Sequence, residues 1–76
     1  QNQITLVYPS SSNQTVRLNV YAFSGKEAYT QTTSAQQGSN QVQFSVQSFA
    51  PGVYYFIIHG QESGMVEAKG KFLVTP

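Results

Sequence analysis

Apolar and polar residues alternate along most of this chain with a period of two, the repeat of strands that bury one face. The clearest run is Thr15 to Phe23, which places Val16, Leu18, Val20 and Ala22 on an inward face and Arg17, Asn19, Tyr21 and Phe23 on an outward one. Gln3 to Tyr8 predicts an earlier strand with Ile4, Leu6 and Tyr8 together, and Pro9 ends it or marks it as an edge. Ser24-Gly25 predicts a tight turn, and Lys26 to Thr32 a weaker returning strand carrying Ala28 and Tyr29, so the two form a hairpin. Thr33 to Asn40 has no periodicity and reads as a solvated loop. Alternation resumes at Gln41 with Val42, Phe44 and Val46 inward, and Phe49 in the following connection is expected to plug the end of the core.

Val53 to Ile58 breaks the alternation by being apolar on both faces, with Tyr54, Phe56 and Ile58 on one and Val53, Tyr55 and Ile57 on the other. Such a strand belongs at the centre of a sheet and should be covered, since the same run left exposed would pair with copies of itself. Pro51-Gly52 supplies a turn before it and Gly60 closes it. Met65 to Val74 predicts the last strand, with Val66, Ala68, Phe72 and Val74 on one face and Gly70 marking a bulge or a close backbone contact. Nothing reads as a helix of useful length. The pattern predicts an all-β fold: a single antiparallel, Ig-like β-sandwich domain of six to seven strands over residues 1–76.

Composition narrows the function. A chain of 76 residues buries only about 60% of its unfolded surface, and no cysteine crosslinks it. Five Phe and five Tyr supply the bulk for one two-layer core. Arg17, Lys26, Lys69 and Lys71 face Glu27, Glu62 and Glu67, with no aspartate and a net charge of +1. Charge this sparse makes no footprint for nucleic acid or an anionic membrane. No apolar run reaches the roughly 18 residues of a membrane span, so membrane insertion is not expected. Solubility rests on Gln, Ser, Thr and Asn, a surface associated with secreted bacterial β-domains, which predicts a secreted or cell-surface location. The chain starts at Gln1 with neither a methionine nor a signal peptide, and is expected to be a piece cut from a longer precursor.

The parts of an active site are missing. A metal site needs three or four ligands, whereas the chain offers one histidine and three glutamates. His59 and Glu62 could meet across a turn, but two ligands make no site, and the ordinary reading of His59 is a solvated strand-end residue. Glu27, Glu62 and Glu67 fall in turns or on outward faces and do not form the carboxylate pair of a glycosidase. No Gly-x-Ser-x-Gly stretch, no aspartate to orient the histidine and no phosphate-binding glycine loop occur. The sequence therefore predicts no catalytic residue, cofactor or metal, and the protein is not expected to be an enzyme. Outward Tyr21, Phe23 and Tyr55 could stack on sugar rings, with Tyr21 and Tyr55 as the polysaccharide contacts, or could instead shield the second face or meet a neighbouring domain. Asn13-Gln14-Thr15 matches a glycosylation acceptor, relevant only in a eukaryotic secretory route.

Three stretches in order carry a resemblance: Leu18-Asn19-Val20-Tyr21-Ala22-Phe23-Ser24-Gly25-Lys26, Phe49-Ala50-Pro51-Gly52-Val53-Tyr54-Tyr55-Phe56-Ile57 and Gly70-Lys71-Phe72-Leu73-Val74. Spanning Val16 to Val74, they resemble the C-terminal sorting domain of the type IX secretion system of Bacteroidetes and the related Ig-like C-terminal domains of secreted bacterial enzymes. The chain departs from that pattern at Ser10-Ser11, where Asn-Pro usually follows Tyr-Pro, and at Ala22, where an acidic or amide residue is usual. The resemblance implies a non-catalytic domain that directs export across the outer membrane. Its partner is then the secretion machinery, or a neighbouring domain of the same protein. It further implies that Lys71, Phe72 and Val74 are recognised and that Gly25, Gly52 and Tyr54 hold the fold. Two alternatives stand beside it: an accessory module of a secreted hydrolase, as spacer or weak carbohydrate binder, and a structural subunit of a surface assembly. The sequence leaves the oligomeric state open.

Overall fold

The computed structural model describes residues 3–76; Gln1, on which the expectation of a longer precursor rests, lies outside them. Six strands follow one another: β1 (Gln3–Ser10), β2 (Gln14–Ala22), β3 (Glu27–Ala35), β4 (Gly38–Ser45), β5 (Gly52–Gly60) and β6 (Val66–Val74). They form two antiparallel sheets, a pair β1-β4 and a four-stranded sheet in the order β3-β2-β5-β6. Packed face to face they make the expected Ig-like sandwich. The turns at 11–13, 36–37 and 61–65 gather at one pole. The other pole holds the turn at 23–26, the connection at 46–51, the start of β1 and the end of β6.

The alternation in the sequence becomes the core. Leu6, Tyr8, Val16, Leu18, Val20, Val42, Phe44, Val46, Tyr54, Ile58 and Val74 are buried between the sheets. The half of the core nearest the 23–26 pole is aromatic. Phe44 stacks on Tyr29 with ring centroids 5.1 Å apart and meets Phe72 edge-on at 5.9 Å. Phe49 lies 4.9 Å from Tyr54 and does plug that end. Offset and tilted ring pairs of this kind add to what their buried area contributes.

Two expectations need correction, for Thr33 to Asn40 and for Val66, and two others, for Gly70 and Asn19, become more definite. Thr33 to Asn40 is not a solvated loop: β3 continues to Ala35, which is buried, and β4 begins at Gly38. Val66 does not face inward and is 56% exposed, because a bulge leaves Glu67 unpaired between the Ile58–Ala68 and His59–Val66 pairs and inverts the side-chain phase. The bulge thus sits at Glu67 and not at Gly70. Of its two readings Gly70 takes the other, the close contact: it lies directly across from Phe56, whose ring would come within 2.9 Å of any Cβ there. Asn19 is outward of the sandwich yet only 9% exposed; its amide donates to the Glu27 carboxylate at 2.7 Å and to the Thr30 hydroxyl at 3.3 Å.

β5 is central in its sheet, between β2 and β6. Its coverage is one-sided, however. Tyr54 and Ile58 are buried, but on the opposite face Val53 and Ile57 are only half-buried and Tyr55 is 40% exposed. The second sheet covers the inner face alone, so an apolar strip is left on the outside.

Candidate functional site

Antiparallel register turns that strip into ordered rows, because residues paired across strands share a face. On the outer face Val53 pairs with Leu73, Tyr55 with Lys71, and Ile57 with Lys69. From the other side Tyr55 pairs with Tyr21, Ile57 with Asn19 and His59 with Arg17. The middle row therefore reads Glu27, Tyr21, Tyr55, Lys71 across all four strands. Three of the four cations, Arg17, Lys69 and Lys71, stand on this face. Glu27, its carboxylate, lies on the far edge and is occupied by Asn19.

The closing strand divides its residues by the same parity. Lys71 is exposed and Leu73 is 61% exposed, both outward. Phe72 turns inward, stacking on Tyr54 at 5.8 Å, and Val74 is buried. In the folded domain Phe72 and Val74 fasten β6 to the core while Lys71 is presented to solvent. Lys69, Leu73, Val53 and Ile57 belong to the same surface and were not singled out from the sequence. Their parity with Lys71 and Tyr55 is the signal that could have found them.

The three residues expected to hold the fold, Gly25, Gly52 and Tyr54, lie in or beside turns. Gly25 has φ +92° in the β2–β3 turn, where its N–H donates to the Ala22 carbonyl at 2.8 Å. Gly52 opens β5 with φ +148°. The Tyr54 hydroxyl donates to the Ala50 carbonyl at 2.6 Å, reaching back four residues over the turn in the manner of the tyrosine corner of Ig-type sandwiches. Tyr21 and Tyr55, the two sugar-stacking candidates, are direct cross-strand neighbours. Phe23 lies beyond β2 in the turn and is 78% exposed.

At the opposite pole an open polar cleft is lined by Ser12, Asn13, Gln14, Thr15, Gln61, Glu62 and Ser63. Beside it the bulge aims the Glu67 carboxylate across the sandwich at the β1–β2 turn. It accepts hydrogen bonds from the Ser11 N–H at 3.0 Å, the Ser11 hydroxyl at 3.1 Å and the Gln14 amide at 3.2 Å. The Ser11 N–H, then the Gln14 amide, hold its pKa below the ordinary glutamate value by favouring the charged form. His59 stands on the outer face between Arg17 and Val66. Among the described residues no three of His, Cys, Asp and Glu come together as metal ligands.

The family model of the secretion system C-terminal sorting domain matches residues 1–74. No curated protein and no solved structure matches the chain.

Proposed function

From the premise that this chain belongs to the secretion system C-terminal sorting domain family, we propose that it is a non-catalytic tag which, folded, directs an attached polypeptide across the outer membrane by the type IX route. The match over residues 1–74 is the observation that carries this reading. The membership implies a secreted or cell-surface protein and a partner in the secretion machinery. On this reading residues 1–76 act as one C-terminal module. Recognition centres on Lys71, and Phe72 and Val74 hold the strand that presents it.

Fusing residues 1–76 to an inert periplasmic reporter, in a bacterium with a type IX system, tests the proposal. Reporter should reach the surface or medium, and deletion of Lys71 to Pro76 should abolish this. Because the deletion also removes Phe72 and Val74 from the core, Lys71→Glu is scored beside it, with circular dichroism verifying its fold. Reporter that stays in the periplasm with the wild-type domain folded overturns the sorting role.

A second reading, an accessory module that binds polysaccharide, is supported by the adjacency of Tyr21 and Tyr55 on the outer face. Retention on insoluble polysaccharide that is lost in Tyr55→Ala would favour it over a spacer or a structural subunit.

A further inference from the structure

We infer that the outer face of β5 and β6 is a docking surface for an extended, acidic segment of a partner protein. Two shallow apolar depressions lie there, on either side of the Tyr55–Lys71 pair. One is bounded by Ile57 and Lys69, the other by Val53 and Leu73. Successive outer pairs, Ile57–Lys69, Tyr55–Lys71 and Val53–Leu73, are two residues apart along each strand, so the two depressions between them are offset by one such step of about 6.6 Å. An extended chain repeats its same-side side chains at that interval, so apolar residues at i and i+2 of such a segment enter both depressions together.

Charge selects the segment further. Lys69 and Lys71 line the depressions, and a lysine covers apolar surface with its stem while keeping its charge in water. Glu67 is held by Ser11 and Gln14 and Glu62 lies in the turn at the far pole, while Glu27 shares the face but stands on its far edge, held by Asn19. With Arg17 added, the face carries three cations against that one carboxylate. Carboxylates flanking the two apolar residues of a partner supply the complement. Lysines on an edge strand also deter strand-to-strand association, but deterrence requires only charge. It does not account for the apolar depressions flanking Lys71, or for Tyr55 and Leu73 left in water. The inference rests on the sorting reading only for where the partner resides, and names the chemistry that would meet Lys71.

The test uses residues 1–76 and fluorescein-labelled peptides carrying Glu, Leu, Leu and Glu at alternate positions with Ser between them. A shuffled peptide with adjacent leucines and a version with Lys for Glu serve as controls. Saturable binding by anisotropy is expected for the first peptide, with amide shifts confined to residues 53–57 and 69–73. Lys71→Glu should weaken it by about tenfold, an ion pair lost and a repulsion gained, while Lys26→Glu in the distant turn leaves it unchanged. Absence of saturable binding, equal binding of the shuffled peptide, or shifts centred on the polar cleft at the other pole would overturn the inference. A reporter that stays periplasmic overturns the sorting reading alone, because the binding curve is measured without any export.

Discussion

Gly52 should be costly to replace, and the cost should come from the backbone alone. Its φ of +148° lies in a region that side-chain-bearing residues occupy only under strain, at a cost on the order of 1–3 kcal/mol. A Cβ built at this position meets no heavy atom within 4 Å, so steric conflict with neighbours adds nothing. For a domain of this size, 1 kcal/mol corresponds to roughly 4–8 °C in Tm. Gly52→Ala should therefore melt roughly 12 °C below wild type, within limits of about 4 and 24 °C. Gly52→Val should follow within about 1 kcal/mol of Gly52→Ala, since open space leaves the larger side chain little to strike. Thermal melts followed by far-UV circular dichroism, with near-UV signal from the aromatic cluster as a second probe, give both numbers and test two-state behaviour. An unchanged Tm for Gly52→Ala would mean that the Pro51-Gly52 turn does not adopt this conformation. A Val variant far worse than Ala would mean that the turn is enclosed and that the cost is steric.

Two further outcomes follow from single bonds. Tyr54→Phe keeps the ring against Phe49 and Phe72 but removes the hydroxyl that donates to Ala50; it should lower stability by about 1 kcal/mol, read as a downward shift of the same melt. Glu67 binds its proton at lower pH in the folded state than in the unfolded chain, so its stabilisation is complete above the unfolded value near 4.5 and is lost as pH falls through the folded one. Melts between neutrality and about pH 3 should show wild type and Glu67→Gln converging at the acid end, and a constant gap between them would refute the role of this carboxylate.

Alternation made most of the fold legible because β2, β4 and β5 each turn a bulky apolar row toward the same core. The failures have a common cause. Thr30, Thr32 and Ser34 of β3 face outward on an edge strand, where hydrophobic burial imposes no pattern, and Ala35 is too small to announce its burial. The β-branched threonines were the available signal, and their polarity masked it. The phase of Val66 depended on a bulge at Glu67, and a bulge is set by what the side chain reaches. Here that is Ser11 and Gln14, far away in sequence. The candidate surface was half legible. Lys71, Tyr55 and Tyr21 could be named singly, but their assembly into one row depends on register between strands that sequence parity alone does not supply.

Pairing β1 with the fourth strand and not the second has a consequence in time. When the chain emerges from its N-terminus, β1 stands without a strand partner while the β2–β3 hairpin forms, and Ile4 and Leu6 gain their neighbours Phe44 and Val42 only when β4 arrives. Closure over such distances along the chain is slow relative to hairpin formation. The inner face of the larger sheet is also incomplete until β5 and β6 are in place. The domain thus commits to its final form only after nearly all of it is available, and a chain halted at residue 37 would carry an orphan apolar strand beside an uncovered hairpin. Anything that must act on this polypeptide before it folds is given that interval by the topology itself.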